Sequence, residues 1–239
     1  MADGSASAET LRIQGSMVFA NQVLWPYQEK IEHVTSHRLN VASSNPSIGI
    51  LALFEGEADL AMVGAPIGEV VAFLRETKPD LPFHRLRSFF VSHSRVAFPV
   101  NPNNPVRHVT LAKLRQVLTG QIDNWRELGG PDLPIRVVSA TGGGGTRLTT
   151  QNVLLGGEPI AASSETRVAN LDDVVKAIAE DRGALGITQA ALVKRQGLPE
   201  LNTETVVAQP LYLVSLDEPT NAMREVIVAT RRVNFDDNP

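Results

Sequence analysis

Short apolar runs alternate with amphipathic stretches along most of the chain. Residues 11–13, 39–42 and 60–63 are predicted to be buried strands. Thr110 and Asn170 each precede a stretch with apolar residues every three or four positions, and each side chain can cap the helix that follows. Repeated alternation of strand and helix predicts an α/β fold with mainly parallel sheets.

The same pattern predicts further elements in the first and middle parts of the chain. Residues 89–91 and 96–100 are predicted as two separate buried strands, and residues 135–138 as another. Residues 43–47 combine serine, asparagine and proline, which predicts a loop, and residues 48–57 are predicted as a helix.

Composition narrows the class of protein. The 239 residues are 43% hydrophobic and 20% charged, which indicates a globular chain of one large domain or of two lobes. The net charge of −4 supplies no basic field for nucleic acid. The absence of cysteine excludes disulfides, thiol chemistry and zinc sites built on cysteine. No apolar run approaches the roughly 20 residues that span a bilayer, and residues 1–7 lack the features of a signal peptide.

Three strand-to-helix loops are small and polar: residues 15–16, 43–47 and 141–147. In an open α/β sheet, ligands bind beyond the carboxyl ends of the strands, where such loops meet. A turn that opens a helix offers unpaired N–H groups and partial positive charge, and Arg147 could add a full charge. The loops therefore predict a small anionic ligand. Tight turns, a helix cap and a surface arginine are the alternative interpretations.

Other kinds of site are not indicated. The loop at residues 141–147 lacks the Gly-Lys-Ser/Thr ending of a phosphate-binding P-loop. His33 and His37 are four residues apart but have no third partner that would indicate a metal site, and no Gly-x-Ser-x-Gly segment is present. We expect neither an enzyme, nor a metal, nor a cofactor.

A series of segments resembles one known family. Residues 96–105, followed by 111–120 and 122–130, resemble the phosphate-binding proteins of bacterial ABC importers, with a Val-Asn-Pro strand end, a helix ending in Thr-Gly and an Asn-Trp segment. Residues 144–147 and 183–187 match the family in the same order. The resemblance extends from about residue 11 to about residue 230.

The resemblance implies a type II periplasmic-binding-protein fold, with the ligand in a cleft between two lobes. Lobe 1 would comprise residues 8–97 and 208–239, and lobe 2 residues 98–207. The implied function is the substrate-binding component of an ABC transporter for a phosphate-like anion, with a permease and an ATPase as partners. A monomer in the periplasm or at the cell surface is expected, with no nucleic-acid partner.

The loops and the resemblance together give one set of candidate ligand-binding residues: Gly15, Ser16, Met17, Ser44, Ser47, Gly64, Thr141, Gly143, Gly144, Gly145, Thr146 and Arg147. The family's aspartate after the third strand is missing, because residues 63–65 are Val-Gly-Ala. Its loop arginine, aspartate and serine are also replaced within residues 140–146. Weaker phosphate binding, a different solute such as an organic anion or a phosphonate, or a ligand-sensing role are therefore the alternatives.

Overall fold

The computed structural model describes residues 8–141, 144–160 and 165–236. These residues form two compact units. Unit 1 contains the described residues up to His93 and those from Pro210 onward, and unit 2 runs from Ser94 to Gln209. The chain leaves unit 1 within one strand and returns to it within another, so unit 1 is built from two segments of the chain.

Unit 1 is a sheet covered by helices. Its strands and helices are β1 (Thr10–Ser16), α1 (Met17–Phe19), α2 (Gln28–Thr35), β2 (Arg38–Ser44), α3 (Pro46–Phe54), β3 (Leu60–Val63), α4 (Ile67–Thr77), β4 (Leu86–Ala97), β9 (Ala208–Leu216) and α9 (Asn221–Asp236). The strands follow the order β2-β1-β3-β9-β4, in which β1 is parallel to both β2 and β3, and β9 is antiparallel to β3. A π-helical turn and a 3-10 turn that holds Pro26 connect α1 to α2.

Unit 2 holds a smaller parallel sheet, in the order β6-β5-β7. Its elements are α5 (Leu111–Leu118), β5 (Arg136–Ala140), α6 (Gly144–Leu155), β6 (Thr166–Val168), α7 (Leu171–Glu180), β7 (Ala184–Gly186), β8 (Thr188–Gln189) and α8 (Ala190–Gln196). Strand β8 pairs antiparallel with the last two residues of β4. Trp125 is fully buried in this unit, and its indole N–H donates to the Gly183 carbonyl at 3.0 Å.

Two sequence predictions are corrected by the structure. The loop predicted at residues 43–47 is almost absent, because β2 continues through Ser44 in register with β1 and α3 begins at Pro46. The two strands predicted at residues 89–91 and 96–100 are instead the one long strand β4, which ends at Ala97. In both places pairing with a neighbouring strand extends the element past its own apolar run.

Helix caps that the sequence predicted are present. The Thr110 side chain accepts a hydrogen bond from the Lys113 N–H, and Asn170 accepts one from the Asp173 N–H. Among the helices of the described residues, none has both the length and the apolar character that a membrane span requires.

Candidate ligand-binding site

The parallel strands of unit 1 end side by side. Ser16 at the end of β1 pairs in register with Ser44 at the end of β2, and Gly15 pairs with Met62 of β3 on the other side. Helices α1, α3 and α4 begin within a few residues of these strand ends. Gly64 is buried and directly follows β3. The six candidate residues of unit 1 therefore lie at or just beyond the carboxyl ends of these parallel strands.

Gly15 fixes the backbone at the end of β1. Its φ of +136° strains any residue with a side chain, and an added Cβ would lie 2.3 Å from the Met62 carbonyl oxygen. The next residue, Ser16, is buried, and its hydroxyl oxygen accepts a hydrogen bond from the Phe19 N–H at 3.4 Å. A glycine at this position thus brings the Ser16 hydroxyl to the first turn of α1.

The start of α3 faces the same strand end. Asn45 caps this helix by accepting a hydrogen bond from the Ile48 N–H at 3.0 Å, and Ser47 in its first turn is half-buried. A Cβ added to Gly49 would lie 2.9 Å from the Gly15 Cα, so the helix packs directly on the end of β1. Ser47 thus lies two residues from the place where α3 packs on β1, and Ser44 pairs in register with Ser16.

The helices at the predicted loops share an electrostatic feature. Helices α3 and α6 have no acidic residue in their first turn, a property that α5 and α8 share, whereas the first turn of α4 contains Glu69 and that of α7 contains Asp172 and Asp173. An acidic side chain there would neutralise the partial positive charge of the helix N-terminus. The N-termini of α3 and α6 therefore keep a field that favours an anion.

In unit 2, β5 leads into the start of α6. The N–H and the hydroxyl of Thr141 both donate to the Val168 carbonyl, at 2.8 and 3.1 Å. Gly143 lies outside the described residues, and Gly144 and Gly145 open α6. Thr146 is only 1% exposed, and its hydroxyl has no hydrogen-bond partner among the described residues.

Arg147, the predicted source of positive charge, is engaged inside unit 2. Its guanidinium donates to both carboxylate oxygens of Glu165, at 2.9 and 3.1 Å, and to the side chain of Gln151. Glu165 also accepts from the Ser139 hydroxyl at 2.7 Å. Burial raises the pKa of Glu165, but the hydrogen bonds from Arg147 and Ser139 and the charges of the nearby arginines lower it by more. The pKa of Glu165 therefore lies below its ordinary value. The Arg147 guanidinium is thus already engaged, and Glu165 is shared with Arg167, whose guanidinium contacts the same carboxylate at 3.4 Å.

A group of buried polar residues in unit 2 contains Thr146, which the sequence predicted as a site residue, and four residues that it did not: Thr149, Thr150, Thr188 and Gln209. Thr146, Thr149 and Thr150 follow helical spacing on the buried face of α6. Thr149 donates to the Gln209 side-chain oxygen at 3.5 Å, while the Gln209 amide nitrogen and the Thr188 hydroxyl are buried without partners among the described residues. The spacing of the three threonines was the only available signal, because Thr188 and Gln209 are distant in sequence.

Within the ranges that the structure describes, no group of three or more histidine, aspartate or glutamate side chains is placed to hold an ion. His37 is buried, accepts a hydrogen bond from the Glu9 N–H and contacts Glu225 at 3.1 Å. Its contacts tie the beginning of β2 to α9, which is a structural role.

Comparison with known proteins gives a family and several relatives. The family model described as "PBP superfamily domain" matches residues 2–231. The phosphate-binding protein PstS of Bacillus subtilis (strain 168) is 29% identical over 178 residues, which are 74% of this chain and 56% of the relative. The match therefore spans little more than half the length of that curated relative.

Solved structures share the fold across nearly the whole chain. An ABC-type phosphate transport receptor from Vibrio cholerae aligns with a TM-score of 0.72 at 21% identity, covering 95% of both chains. A putative phosphate ABC transporter substrate-binding protein with bound phosphate, from Clostridium perfringens, aligns with a TM-score of 0.72 at 22% identity, covering 92% of both. The α/β fold expected from the sequence, of the periplasmic-binding-protein type, is confirmed.

Proposed function

The chain belongs to the PBP superfamily domain family, and we propose that it is the substrate-binding component of an ABC importer for a small oxyanion of the phosphate class. The relative from Bacillus subtilis is a phosphate-binding protein, and the two structures come from phosphate transport systems. These relatives support the class of ligand. The geometry of the strand ends supports the place where it binds.

One observation carries the proposal. Ser16 and Ser44 are paired at the carboxyl ends of neighbouring parallel strands, beside the start of α3, where no acidic residue opposes an anion. Hydroxyl donors and helix N–H groups together can replace the water that an oxyanion loses on binding. We assign the anion to this strand-end group of unit 1.

The charged groups available at the site determine how strongly the anion is bound. Arg147 is paired with Glu165, and the segment after β3 has glycine and alanine in place of a carboxylate. The anion is then held mainly by neutral donors and by helix dipoles, which are weaker than charge-assisted bonds from a free arginine. We therefore propose that inorganic phosphate binds more weakly here than in a site with an available arginine.

An import role also defines partners and location. The proposal assigns the chain a membrane permease and an ATPase as partners, and a place outside the cytoplasmic membrane as a monomer. Binding of the loaded protein to its permease would be the step that commits the anion to transport.

Thermal unfolding with added phosphate tests the proposal directly. At about 100 times its dissociation constant a ligand adds about 2.7 kcal/mol to the unfolding free energy, which raises the midpoint by about 5–10 °C for a chain of this size. Sodium chloride at matched ionic strength is the control. A midpoint that responds equally to both salts would contradict specific binding.

Variants then locate the site. Ser47→Ala in unit 1 removes one hydroxyl and should weaken phosphate binding about tenfold by calorimetry. Thr146→Val, measured in the same way, tests the buried hydroxyl of unit 2 by itself. Ser88→Ala, at an exposed position on β4, is the matched control and should leave the affinity within about twofold. If neither site variant differs from the control, the assigned residues do not bind the anion.

A further inference from the structure

Two large apolar side chains lie exposed among the hydroxyl groups of unit 1. Met17 directly follows Ser16 and is 42% exposed, and Ile48 directly follows Ser47 and is 43% exposed. Single exposed apolar residues are ordinary on protein surfaces. These two differ because both adjoin serines already assigned to the anion.

The backbone places the two side chains around the same strand end. Gly49, the neighbour of Ile48, packs so closely on Gly15 that an added Cβ would lie 2.9 Å from the Gly15 Cα. Met17 is two residues beyond Gly15. Met17 and Ile48 therefore both lie within two residues of the place where α3 packs on the end of β1.

The neighbouring segments of unit 1 add small buried residues and no acidic side chain in the adjoining helix turns. The segment after β3 continues with the buried residues Gly64 and Ala65, and the first turns of α1 and α3 carry no acidic side chain. The corresponding position in unit 2 follows the same pattern, since Leu148 beside Arg147 is 39% exposed. Each strand-end group thus combines a few polar donors with an exposed apolar side chain.

Inorganic phosphate does not match this combination. Its four oxygens all require hydrogen-bond partners or water, and an apolar side chain beside one of them supplies neither. A ligand pocket that is partly apolar, with a few directed polar groups, suits a molecule with both kinds of surface. Resting on the proposed function, we propose that the ligand is an organic phosphoryl anion, whose single apolar substituent packs against Met17 and Ile48.

Calorimetry on the full chain with three probes tests this inference: inorganic phosphate, methylphosphonate and phenylphosphonate. Phenylphosphonate should bind about tenfold more tightly than phosphate, with methylphosphonate between them, because its ring covers apolar surface that phosphate leaves in water. The measured quantity is the ratio of the phosphate and phenylphosphonate dissociation constants.

A double variant assigns the preference to the two residues. Met17→Ser combined with Ile48→Ser should bring that ratio to within about twofold of one. Phe73→Ser is the control, because Phe73 is 59% exposed on α4, away from the strand ends, and this variant should keep the ratio of the unmodified chain. Thermal unfolding of each variant confirms that it is folded.

The outcomes separate this inference from the proposed function. Phosphate binding as tight as phenylphosphonate binding, or an unchanged ratio in the double variant, overturns the inference and leaves the proposed function standing. Absence of binding by all three probes overturns both. A preference for phenylphosphonate that the double variant abolishes and the Phe73 control retains supports the inference.

Discussion

Arg147 and Glu165 form a half-buried ion pair at the first turn of α6, and Arg167 contacts the same carboxylate at 3.4 Å. The carboxylate is 7% exposed and accepts from the guanidinium at two oxygens and from Ser139. Removing one member of such a pair leaves the other without its partner in a site that little water reaches. The structure therefore makes Glu165 a positioning residue for the first turn of α6.

Glu165→Gln should lower the unfolding free energy by about 1–3 kcal/mol at neutral pH, measured by urea denaturation. The folded pKa of Glu165 lies below its ordinary value of 4.5, so the carboxylate stabilises the fold above that value. This contribution is lost as the pH falls from 4.5 through the lower folded pKa, and the difference in unfolding free energy between the two proteins should shrink there.

The control variant is Asp132→Asn, which removes an exposed ion pair with Arg126 and should cost less than about 1 kcal/mol. A difference that stays constant down to acid pH would show that the ion pair is not its source.

Thr188 and Thr150 provide a matched pair of buried hydroxyls. The Thr188 hydroxyl has no partner among the described residues, whereas the Thr150 hydroxyl donates to the Thr146 carbonyl at 2.9 Å. Thr188→Val should raise the unfolding free energy by about 1 kcal/mol, and Thr150→Val should lower it by about 0.5–1 kcal/mol. Thermal unfolding without ligand measures both. A loss of stability in Thr188→Val would mean that its hydroxyl is satisfied in solution.

At the scale of the element, α3 depends on how closely it approaches β1. A Cβ on Gly49 would lie 2.5 Å from the Gln14 carbonyl oxygen, whereas a Cβ on Gly68 in α4 would meet nothing within 4 Å. Gly49→Ala should therefore destabilise the protein by about 1–3 kcal/mol, because the helix must move away from the strand. Gly68→Ala should be neutral or stabilising by up to about 1 kcal/mol. Equal effects of the two changes on the urea midpoint would contradict the packing of α3.

Elements with local signals could be predicted from the sequence. Helix α5 has a capping threonine and helical apolar spacing, and the structure has it where the pattern indicates. Helix α4 has no strong cap and was not predicted, because its buried residues Val70 and Leu74 pack on a distant part of the chain. The end of β2 was missed for the same reason, since pairing with β1 carries it to Ser44.

The candidate site also has some features with a local sequence signal and others that depend on residues distant in sequence. The strand end at Gly15 and Ser16 could be predicted because a glycine followed by a hydroxyl after a short apolar run is a local pattern. The ion pair of Arg147 could not be predicted, because Glu165 is 18 residues away in sequence and only the folded chain brings the two together. The exposed fraction of a side chain could not be predicted either, and the proposal of a ligand with an apolar substituent depends on the exposure of Met17 and Ile48.

At the scale of the whole molecule, the net charge opposes the proposed ligand. The chain carries −4, so the long-range field does not attract an anion. Attraction must come from groups within a few ångströms, such as helix N-termini without acidic residues and serine hydroxyls. Selectivity then depends on contact geometry rather than on steering, which agrees with a site that distinguishes ligands by their substituent.

The two-segment construction of unit 1 gives the last prediction. Strand β9 lies between β3 and β4, and its residues Leu211 and Leu213 share one core with Ile13 and with Val226 of α9. A chain ending at Gln209 lacks this half of the core, so the amides of β1 should exchange with solvent at least about a hundredfold faster. Unit 2 is continuous, and the amides of α5 should keep their protection in the same molecule. Hydrogen exchange followed by mass spectrometry measures both, with a chain ending at Asp236 as the control. Protection of β1 in the shorter chain would mean that the first segment folds without the second.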